Sequence, residues 1–366
     1  MIHSPIHDDS IRCQMEEQEA RTLGPRACLA RNSRGRAVPE QECFMRTCFQ
    51  RDTDRIIHSE SFRRLKHKTQ VFLSPTNDHF RTRLTHTLEV VGIARSIARG
   101  LRLNENLTEA IAFGHDLGHT PFGHAGEQVL AEISETGFHH ASHSVRVVTV
   151  LEKNGAGLNL TAEVVDGIGK HSKGRKGSLV LNGPEAPLTL EAQIVRLSDL
   201  VAYINHDIDD AIRAGVIRSE DLPPDPVNLL GERHSVRIHT MVKDIIASSA
   251  DTEGITMSPV VADATEQLRE FLYSKVYPRP GIDSAVEKSK ELLRQMAHWF
   301  LSHPEDLHAR LKHQPPANQS LKRTLVDYLA GMTDEYAISL FQDLFVPHFQ
   351  LDTSLAPSGD KVIGRP

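Results

Sequence analysis

The ten-residue stretch 115–124, which reads HDLGHTPFGH, constrains this chain more than any other feature. It follows an apolar run and contains three imidazoles and one carboxylate. A folded core does not need so many groups that can bind a metal or transfer a proton, and such groups are seldom buried without partners. We therefore expect the rest of the chain to fold around this histidine-rich stretch and to supply partners for its side chains.

Length and charge set outer limits on fold and function. A chain of 366 residues is long enough for one large domain or two ordinary ones. The net charge of −6 argues against a nucleic-acid-binding protein, so any anion site must be local. Twelve of the 21 histidines lie between residues 58 and 206, and we expect the chemistry there.

Cysteine usage and hydropathy indicate the cellular compartment. The four cysteines lie near the N-terminus without a C-x-x-C spacing, so they predict neither disulfides nor a thiolate zinc site. No apolar secretory segment is visible, and no run approaches the roughly 18 apolar residues needed to cross a bilayer. These features predict a cytoplasmic protein that is neither exported nor bound to a membrane.

Helical periodicity dominates the chain and no alternating strand and helix pattern is visible, so the predicted fold class is all-α. We divide the chain into an irregular N-terminal arm at 1–44, a catalytic core at 45–222 and a helical C-terminal region at 223–366 packed on the core. Helices are predicted near 10–23 and over 51–68, 82–100, 107–118, 145–151, 160–168, 190–213, 233–249, 263–276, 284–302, 305–313 and 319–344. Residues 172–188 are predicted to form a glycine-rich basic loop with a short hairpin near 179–181.

Three of these helices carry the polar side chains of interest. At about 100° per residue, His86 shares the core-facing side of its helix with apolar residues, and Arg83 lies at the edge of that face. Helix 107–118 presents His115 and Asp116 at its end, with Gly118 as the predicted C-terminal stop. On helix 190–213, a second stripe beside the apolar one contains Asp199, Tyr203, His206 and Asp207.

Two imidazoles and two carboxylates form a complete ligand set for a divalent cation that supports hydrolysis without redox chemistry. The predicted ligands are His86, His115, Asp116 and Asp199, and the H, HD and D elements are separated by 29 and 83 residues. This order resembles that of the HD-domain metal-dependent phosphohydrolases, an all-helical superfamily. The resemblance implies an HD-domain helical fold with a helical C-terminal extension.

Further motifs narrow the resemblance. They are FRRLKHKTQVF at 62–72, RTRLTHTLEV at 81–90, the histidine-rich stretch, SDLVAY at 198–203 and DYLAGMTD at 327–334. Together, and in this order, they resemble the bacterial deoxyguanosinetriphosphate triphosphohydrolase-like (dGTPase-like) family over roughly residues 45–345.

That resemblance implies hydrolysis of dGTP, or of several dNTPs, at the α-phosphorus to a deoxynucleoside and inorganic triphosphate, which would contribute to control of dNTP pools. One divalent metal per site is expected. Manganese or magnesium is favoured, and iron, nickel and zinc are alternatives. The metal would polarise a phosphoryl oxygen and lower the pKa of a water. The family also leads us to expect a homo-oligomer and a dNTP effector, although no stretch identifies the interface or the effector pocket.

The resemblance also assigns catalytic roles by position. His119, Glu127 and His140 match the catalytic helpers of the family, and His124 matches a histidine that acts as an acid or contacts a substrate phosphate. The sequence leaves open which of the three histidines gives a proton to the leaving 5′-oxygen. Family members often carry Asn after the histidine that matches His140, whereas this chain has Ala141.

Substrate contacts are expected at four further positions. Arg83 is the best candidate for a phosphate clamp, because a guanidinium can donate two parallel hydrogen bonds. By resemblance, Tyr203 and Asp207 face the sugar and Gln70 lies near the 3′-hydroxyl. Tyr203 against C2′ would exclude a ribose 2′-hydroxyl. No P-loop is present, so phosphate binding must rest on the metal and on side chains.

Other interpretations remain open at this point. The same residues could be satisfied core histidines, helix caps and surface ion pairs. An HD-domain 5′-nucleotidase or phosphodiesterase would use the same ligand set but release orthophosphate. A nucleotide-sensing module would bind a dNTP with negligible turnover. Nucleic-acid binding through the basic residues 31–36 and 51–68 is disfavoured by the negative charge and the lack of interleaved aromatic residues.

Overall fold

The computed structural model describes residues 10–70, 80–172, 186–278, 280–316 and 318–347. Within these ranges the chain forms helices and no β-strand, as the predicted all-α class requires. The α-helices are α1 (Ile11–Thr22), α2 (Cys48–Ile57), α3 (Glu60–Arg64), α4 (Arg83–Gly100), α5 (Glu105–Gly114), α6 (His124–Ile133), α7 (His140–Arg146), α8 (Glu152–Gly155), α9 (Ala162–Lys170), α10 (Leu190–Arg213), α11 (Pro224–Leu230), α12 (His234–Ser249), α13 (Pro259–Phe271), α14 (Pro280–Ser302), α15 (Pro304–Arg310), α16 (Leu321–Ala330) and α17 (Asp334–Phe345). Short 3₁₀ or π turns occur at Ala30–Asn32, Leu65–His67, Val147–Leu151, Ser219–Asp221 and Leu272–Val276.

Local capping explains where several predicted helices begin and end. The helix predicted near 82–100 begins after Thr82, whose hydroxyl accepts from Thr85 N at 3.4 Å. The prediction of one helix over 51–68 was wrong, because Ser59 accepts from Phe62 N and starts the separate helix α3. The prediction of one helix over 319–344 was also wrong, because the helix is interrupted at residues 331–333 and Thr333 caps the start of α17. Helix α11 was not predicted.

The predicted basic loop at 172–188 falls mainly on residues 173–185, and the hairpin near 179–181 falls wholly there. Those residues lie outside the described part of the chain. The four cysteines are all free, in agreement with the sequence prediction. No helix in the described ranges is both long and apolar enough to cross a membrane.

Two apolar clusters organise the described residues. The larger one surrounds α4, α5 and α10, which pack on one another, and it extends through α9, α12 and α13. The smaller one joins α6 to α14, α16 and α17. Helix α6, which begins at the last residue of the histidine-rich stretch, therefore packs its apolar face against C-terminal helices. The predicted boundary at residue 222 stays a prediction.

Two buried charged residues attach the C-terminal helices to the histidine-rich stretch. The Lys68 ammonium donates to the carbonyl oxygens of His119 and Ala330. Asp334 Oδ1 accepts from Phe122 N at 2.9 Å, while its Oδ2 accepts from the Thr69 backbone and hydroxyl at 3.0 and 2.7 Å. Charge-assisted hydrogen bonds of this kind are among the stronger ones in proteins. The loop that carries the histidines is therefore held from two sides.

Gly118 has a different role from the predicted helix stop. Helix α5 ends four residues earlier, at Gly114. A Cβ atom on Gly118 would lie 2.1 Å from Ser144 N, and Gly118 N donates to Ser144 Oγ at 2.8 Å. The glycine is therefore required by close backbone contact with α7, because any side chain would push the two segments apart.

Candidate metal centre

The four predicted metal ligands converge from α4, the end of α5 and α10. His86 Nε2 lies 3.1 Å from Asp199 Oδ1 and 3.9 Å from Asp116 Oδ2. His115 Nε2 lies 3.6 Å from Asp116 Oδ1 and 3.9 Å from Asp199 Oδ1. Atoms that bind one cation at about 2.0–2.2 Å are separated from one another by distances similar to those between these four side chains. The four side chains that the sequence singled out are thus brought together, while their assignment as ligands stays a prediction.

The protonation of His115 fits a cation ligand. Its Nδ1 donates to Ala112 O at 2.7 Å, so the lone pair of the neutral ring is on Nε2. That Nε2 atom is buried and has no hydrogen-bond partner in the described part of the chain. A buried, unpaired acceptor is costly. A divalent cation bound by His86, His115, Asp116 and Asp199 would satisfy it.

A hydrogen bond with His206 holds His86 on the side away from the centre. His86 Nδ1 and His206 Nε2 are 2.8 Å apart, and His206 Nδ1 lies 2.8 Å from Asp207 Oδ1. Asp207 Oδ2 also accepts from the Tyr277 hydroxyl at 2.6 Å. A divalent cation at the centre would take the Nε2 lone pair of His86, and His86 Nδ1 would then donate to His206 Nε2. Such outer partners raise the basicity of a ligand and fix its orientation.

Both carboxylates of the centre are held in their charged form. Burial alone would raise the pKa of Asp116, but His119, His115 and Arg83 hold the pKa well below its usual range. Burial likewise opposes ionisation of Asp199, whereas the hydrogen bond with His86 lowers its pKa to about 2. The centre therefore presents negative charge to a cation over a wide range of pH.

The four predicted catalytic residues form a second group next to the centre. Glu127 joins two of them, with Oε2 at 3.0 Å from His124 Nδ1 and Oε1 at 3.0 Å from His140 Nδ1. Burial would raise the pKa of Glu127, but these two hydrogen bonds hold the pKa well below its usual range. The His119 and His140 rings are stacked with centroids 4.1 Å apart. His119 Nε2 lies 3.4 Å from Asp116 Oδ1.

Exposure separates the three candidate proton donors. The His124 side chain is 73% exposed, whereas those of His119 and His140 are 4% and 9% exposed. Burial, then the nearby Arg83 charge, lowers the pKa of His119 well below its ordinary value. The three rings therefore differ in access to solvent, and the geometry leaves the choice between them open.

His171 and His206 contact predicted metal ligands, although the sequence had assigned neither of them a role in the site. His171 Nε2 lies 3.2 Å from His140 Nε2 and 3.9 Å from Asp116 Oδ1. His206 lies on the same stripe of α10 as Asp199, and this shared stripe was the signal in the sequence that could have identified it. His171 had only its position after a predicted helix, so its contacts could not be inferred. His143 faces away, towards Arg323 at 3.2 Å.

The predicted substrate contacts lie in three different environments. Arg83 is buried and donates to Asp116 Oδ2 at 2.9 Å, so it joins the centre rather than forming a surface ion pair. Gln70 Oε1 is buried without a hydrogen-bond partner among the described residues. Tyr203 is partly buried. The buried Asp207 accepts from the Tyr277 hydroxyl through Oδ2, and its Oδ1 lies 2.8 Å from His206 Nδ1. The four assignments stay predictions.

A separate cavity of about 1150 Å³ lies between α3 and the C-terminal helices. It is lined by residues such as Arg64, Lys153 and Tyr328, and by none of the four predicted metal ligands. The cavity is therefore distinct from the metal centre.

Comparisons with known proteins agree with the geometry. A family model for the HD domain matches residues 83–204, and one for the phosphohydrolase-associated domain matches residues 255–343. A protein of Caldanaerobacter subterraneus subsp. tengcongensis is 52% identical over 332 residues, covering 91% of this chain and 95% of its own length. One from Desulfatibacillum aliphaticivorans is 47% identical over 350 residues, covering 92% and 99%. Both are named deoxyguanosinetriphosphate triphosphohydrolase-like protein.

A solved structure of a hypothetical protein from Aquifex aeolicus is more distantly similar. Its TM-score is 0.44 at 18% identity, covering 79% of this chain and 67% of that chain. Similarity at this level supports no conclusion about function.

Proposed function

Since this chain belongs to the deoxyguanosinetriphosphate triphosphohydrolase-like family and is a metal-dependent phosphohydrolase, we propose that it hydrolyses deoxynucleoside triphosphates. The bond broken is the one between the α-phosphorus and the 5′-oxygen, and the products are a deoxynucleoside and inorganic triphosphate. dGTP is the first substrate to test, together with the other dNTPs. A cytoplasmic location, a homo-oligomeric state, a dNTP effector and a role in controlling dNTP pools belong to the same proposal.

The observation that carries this proposal is the convergence of two imidazoles and two carboxylates on one point, in the family order H, HD, D. His86, His115, Asp116 and Asp199 would hold a divalent cation, with manganese or magnesium favoured. The buried lone pair of His115 supports the assignment. When bound, the cation supplies Lewis acidity towards a phosphoryl oxygen and towards water.

The residues around the centre account for the remaining requirements of the reaction. The leaving 5′-oxygen needs a proton, and His119, His124 and His140 are the candidate donors. Glu127 accepts hydrogen bonds from two of these rings and so fixes their orientation.

Binding of the triphosphate requires positive charge and a way to exclude ribose. Arg83 lies at the centre and would exchange its contact with Asp116 for one with a phosphate oxygen. Tyr203 follows the predicted ligand Asp199 by one helical turn, which supports a contact with the sugar. Gln70 has an unsatisfied amide oxygen that could accept from a 3′-hydroxyl, and Asp207 completes the proposed sugar contacts.

Product analysis tests the proposal directly. The purified full chain is incubated with Mn²⁺ or Mg²⁺ and with each dNTP, alone and mixed, and nucleosides, nucleotides and inorganic phosphates are separated. Deoxynucleoside and triphosphate in equal amounts are expected. Release of orthophosphate would instead indicate a 5′-nucleotidase or phosphodiesterase. Metal binding without turnover in any mixture would indicate a nucleotide sensor.

A further inference from the structure

Helix α7 carries His140 into the candidate site but is too short to fix its own orientation. It has seven residues, from His140 to Arg146. Isolated helices shorter than about 12 residues are marginal in water, so the place of such a helix depends on its contacts with the surrounding chain. The contacts that α7 makes along its length therefore decide where the His140 ring lies.

Three contacts hold α7, and each comes from a different part of the chain. At its first residue, Glu127 Oε1 of α6 accepts from His140 N at 2.8 Å. In its second turn, Ser144 Oγ donates to His115 O at 2.7 Å. At its last residue, Arg146 reaches the C-terminal helix α16. The first two contacts involve predicted site residues, whereas the third comes from a helix that carries none of them.

The contact with α16 is a two-bond ion pair between Arg146 and Asp327. Arg146 Nε donates to Asp327 Oδ1 at 2.8 Å, and Arg146 Nη2 donates to Asp327 Oδ2 at 2.6 Å. The Asp327 side chain is 8% exposed, and its Oδ2 also accepts from Gln319 Nε2 at 3.1 Å. Two parallel charge-assisted hydrogen bonds fix the relative orientation of the two groups. The pair thus sets the position of the end of α7 against a helix that is remote in sequence.

A second guanidinium makes the Asp327 carboxylate necessary at this place. Arg323 Nη2 lies 2.8 Å from Asp327 Oδ1 and 3.2 Å from Nδ1 of the buried His143. Arg146 and Arg323 therefore share one carboxylate, and without its charge the two guanidinium groups would repel each other. Helix α16 is also held by apolar contacts with α6 and α14. Loss of the charge should therefore displace the end of α7 and leave α16 in place.

We propose that Asp327 is a positioning residue for the reaction, because it fixes α7 through Arg146 and so places the His140 ring. His140 Nδ1 lies 3.0 Å from Glu127 Oε1, and its ring stacks on that of His119 with centroids 4.1 Å apart. A displacement of about 1 Å at such a group can lower a rate about 10²-fold. This role rests on the proposed function, since it requires His140 to take part in hydrolysis.

The kinetics of Asp327→Asn test this role. The substitution keeps the shape of the side chain and removes its charge. We expect kcat for dNTP hydrolysis to fall about 10–100-fold, while KM and the Kd for Mn²⁺ stay close to the wild-type values. Asp327→Glu restores the charge and should recover part of the lost kcat.

An ion pair at the surface provides the matched control. Arg294 of α14 donates two hydrogen bonds of 2.9 Å to Glu132 of α6, so it also links a core helix to a C-terminal helix. Arg294→Gln should leave kcat unchanged, because neither Arg294 nor Glu132 touches α7. Circular dichroism and thermal melting identify the folded variants. Arg146→Gln breaks the proposed link from its other side and replaces Asp327→Asn if that variant does not fold.

A double-mutant cycle separates positioning of His140 from a general loss of structure. If Asp327 acts through His140, Asp327→Asn should lower kcat in the wild-type chain and have little further effect in a His140→Gln chain. An equal fold-loss of kcat in both chains would overturn the proposal. Wild-type kcat in a folded Asp327→Asn variant would overturn it as well.

Nuclear magnetic resonance provides a readout that does not depend on activity. In protein labelled with ¹⁵N-histidine, the ring signals of His140 are assigned by their absence from His140→Gln. Asp327→Asn should shift the Nδ1 signal, because the hydrogen bond with Glu127 loosens, and Arg294→Gln should not. A shifted signal without triphosphate release by wild type would reject the function and keep the placement of His140. Triphosphate release with an unshifted signal in Asp327→Asn would reject the positioning role and keep the function.

Discussion

His86 Nδ1 and His206 Nε2 share a hydrogen bond of 2.8 Å, so the Nδ1 atom of a predicted metal ligand is held by another histidine rather than directly by a carboxylate. A negative charge lies close to the pair, with Asp207 Oδ1 at 2.8 Å from His206 Nδ1. The metal affinity should therefore depend on residues that never touch the metal.

Removal of one ligand should abolish metal binding and turnover together. In His115→Ala we expect bound Mn²⁺ to be lost and turnover to fall about 10³-fold or more, because several kcal/mol of charge stabilisation disappear. Metal analysis and product analysis on the same preparation measure both quantities. The exposed His298 gives the control variant His298→Ala, which should behave as wild type. Full turnover by His115→Ala with metal retained would show that His115 is not a ligand.

Substitution of Asp207 should weaken metal binding from a distance. Asp207→Asn removes the negative charge beside His206, and we expect the Kd for Mn²⁺ to rise about 10–100-fold. Isothermal titration measures the change, and Tyr277→Phe, which removes only a donor to the same carboxylate, should have a smaller effect. If the Kd for Mn²⁺ is unchanged and the KM for dNTP rises instead, Asp207 contacts the sugar and not the metal centre.

Tyr203 should determine the discrimination against ribonucleotides. In Tyr203→Ala the preference for dGTP over GTP, measured as the ratio of the kcat/KM values, should fall by about tenfold or more because the ring no longer fills the space beside C2′. Tyr203→Phe retains the ring and should keep the preference. Equal ratios in wild type and Tyr203→Ala would remove Tyr203 from the sugar pocket.

The buried His143 should make stability depend on pH. Burial, then the charges of Arg323, Lys68 and Arg146, holds the pKa of His143 well below its ordinary value of 6.5. Below pH 6.5 the unfolded chain binds a proton that the folded chain refuses, so the folded state loses stability as the pH falls. His143→Gln should reduce that loss by up to about 1.4 kcal/mol per pH unit between roughly pH 6.5 and 5.

Urea unfolding at several pH values, with a chelator present, measures this dependence on His143. His298→Gln, which changes an exposed histidine, should leave the slope unaltered. Identical slopes for wild type and His143→Gln would show that His143 is protonated in the folded chain.

Gly118 and Gly92 should respond in opposite ways to substitution by alanine. Gly118→Ala places a Cβ 2.1 Å from Ser144 N and should destabilise the fold by about 3 kcal/mol, since backbone cannot yield as a side chain can. Gly92→Ala, inside α4, meets no atom within 4 Å and should stabilise the fold by about 0.5–1 kcal/mol. Thermal melting of both variants compares them. A stable Gly118→Ala would mean that α7 can move away from the histidine-rich stretch.

The sequence was most informative where structure is determined locally. Helix α10 has the predicted bounds because its apolar stripe repeats without interruption and Thr189 caps its start. The inward orientation of His86 followed from the helical period of α4. The metal ligands were predicted for a different reason, since their order and spacing match a family pattern that can be recognised without knowledge of the fold.

The contacts between distant segments could not be predicted in this way. His171 reaches His140 and Asp116 only through packing of α9 against α5 and α7. No periodic pattern in the sequence indicates that these side chains come into contact. Gly118 was misread as a helix stop because its constraint comes from the backbone of α7, which is remote in local sequence. Contacts of this kind can be identified only when the tertiary fold is known.

Lys68 and Asp334 link α16 and α17, the last two described helices, to the histidine-rich stretch and help to fix its conformation. A chimaera that received α16 and α17 from another protein would have to preserve a carboxylate for Phe122 and Thr69 and a carbonyl for Lys68. Otherwise a buried ammonium and several backbone donors would lose their partners beside the metal centre. The C-terminal helices are thus unsuited to modular exchange, and we expect them to be inherited together with the histidines whose positions they fix.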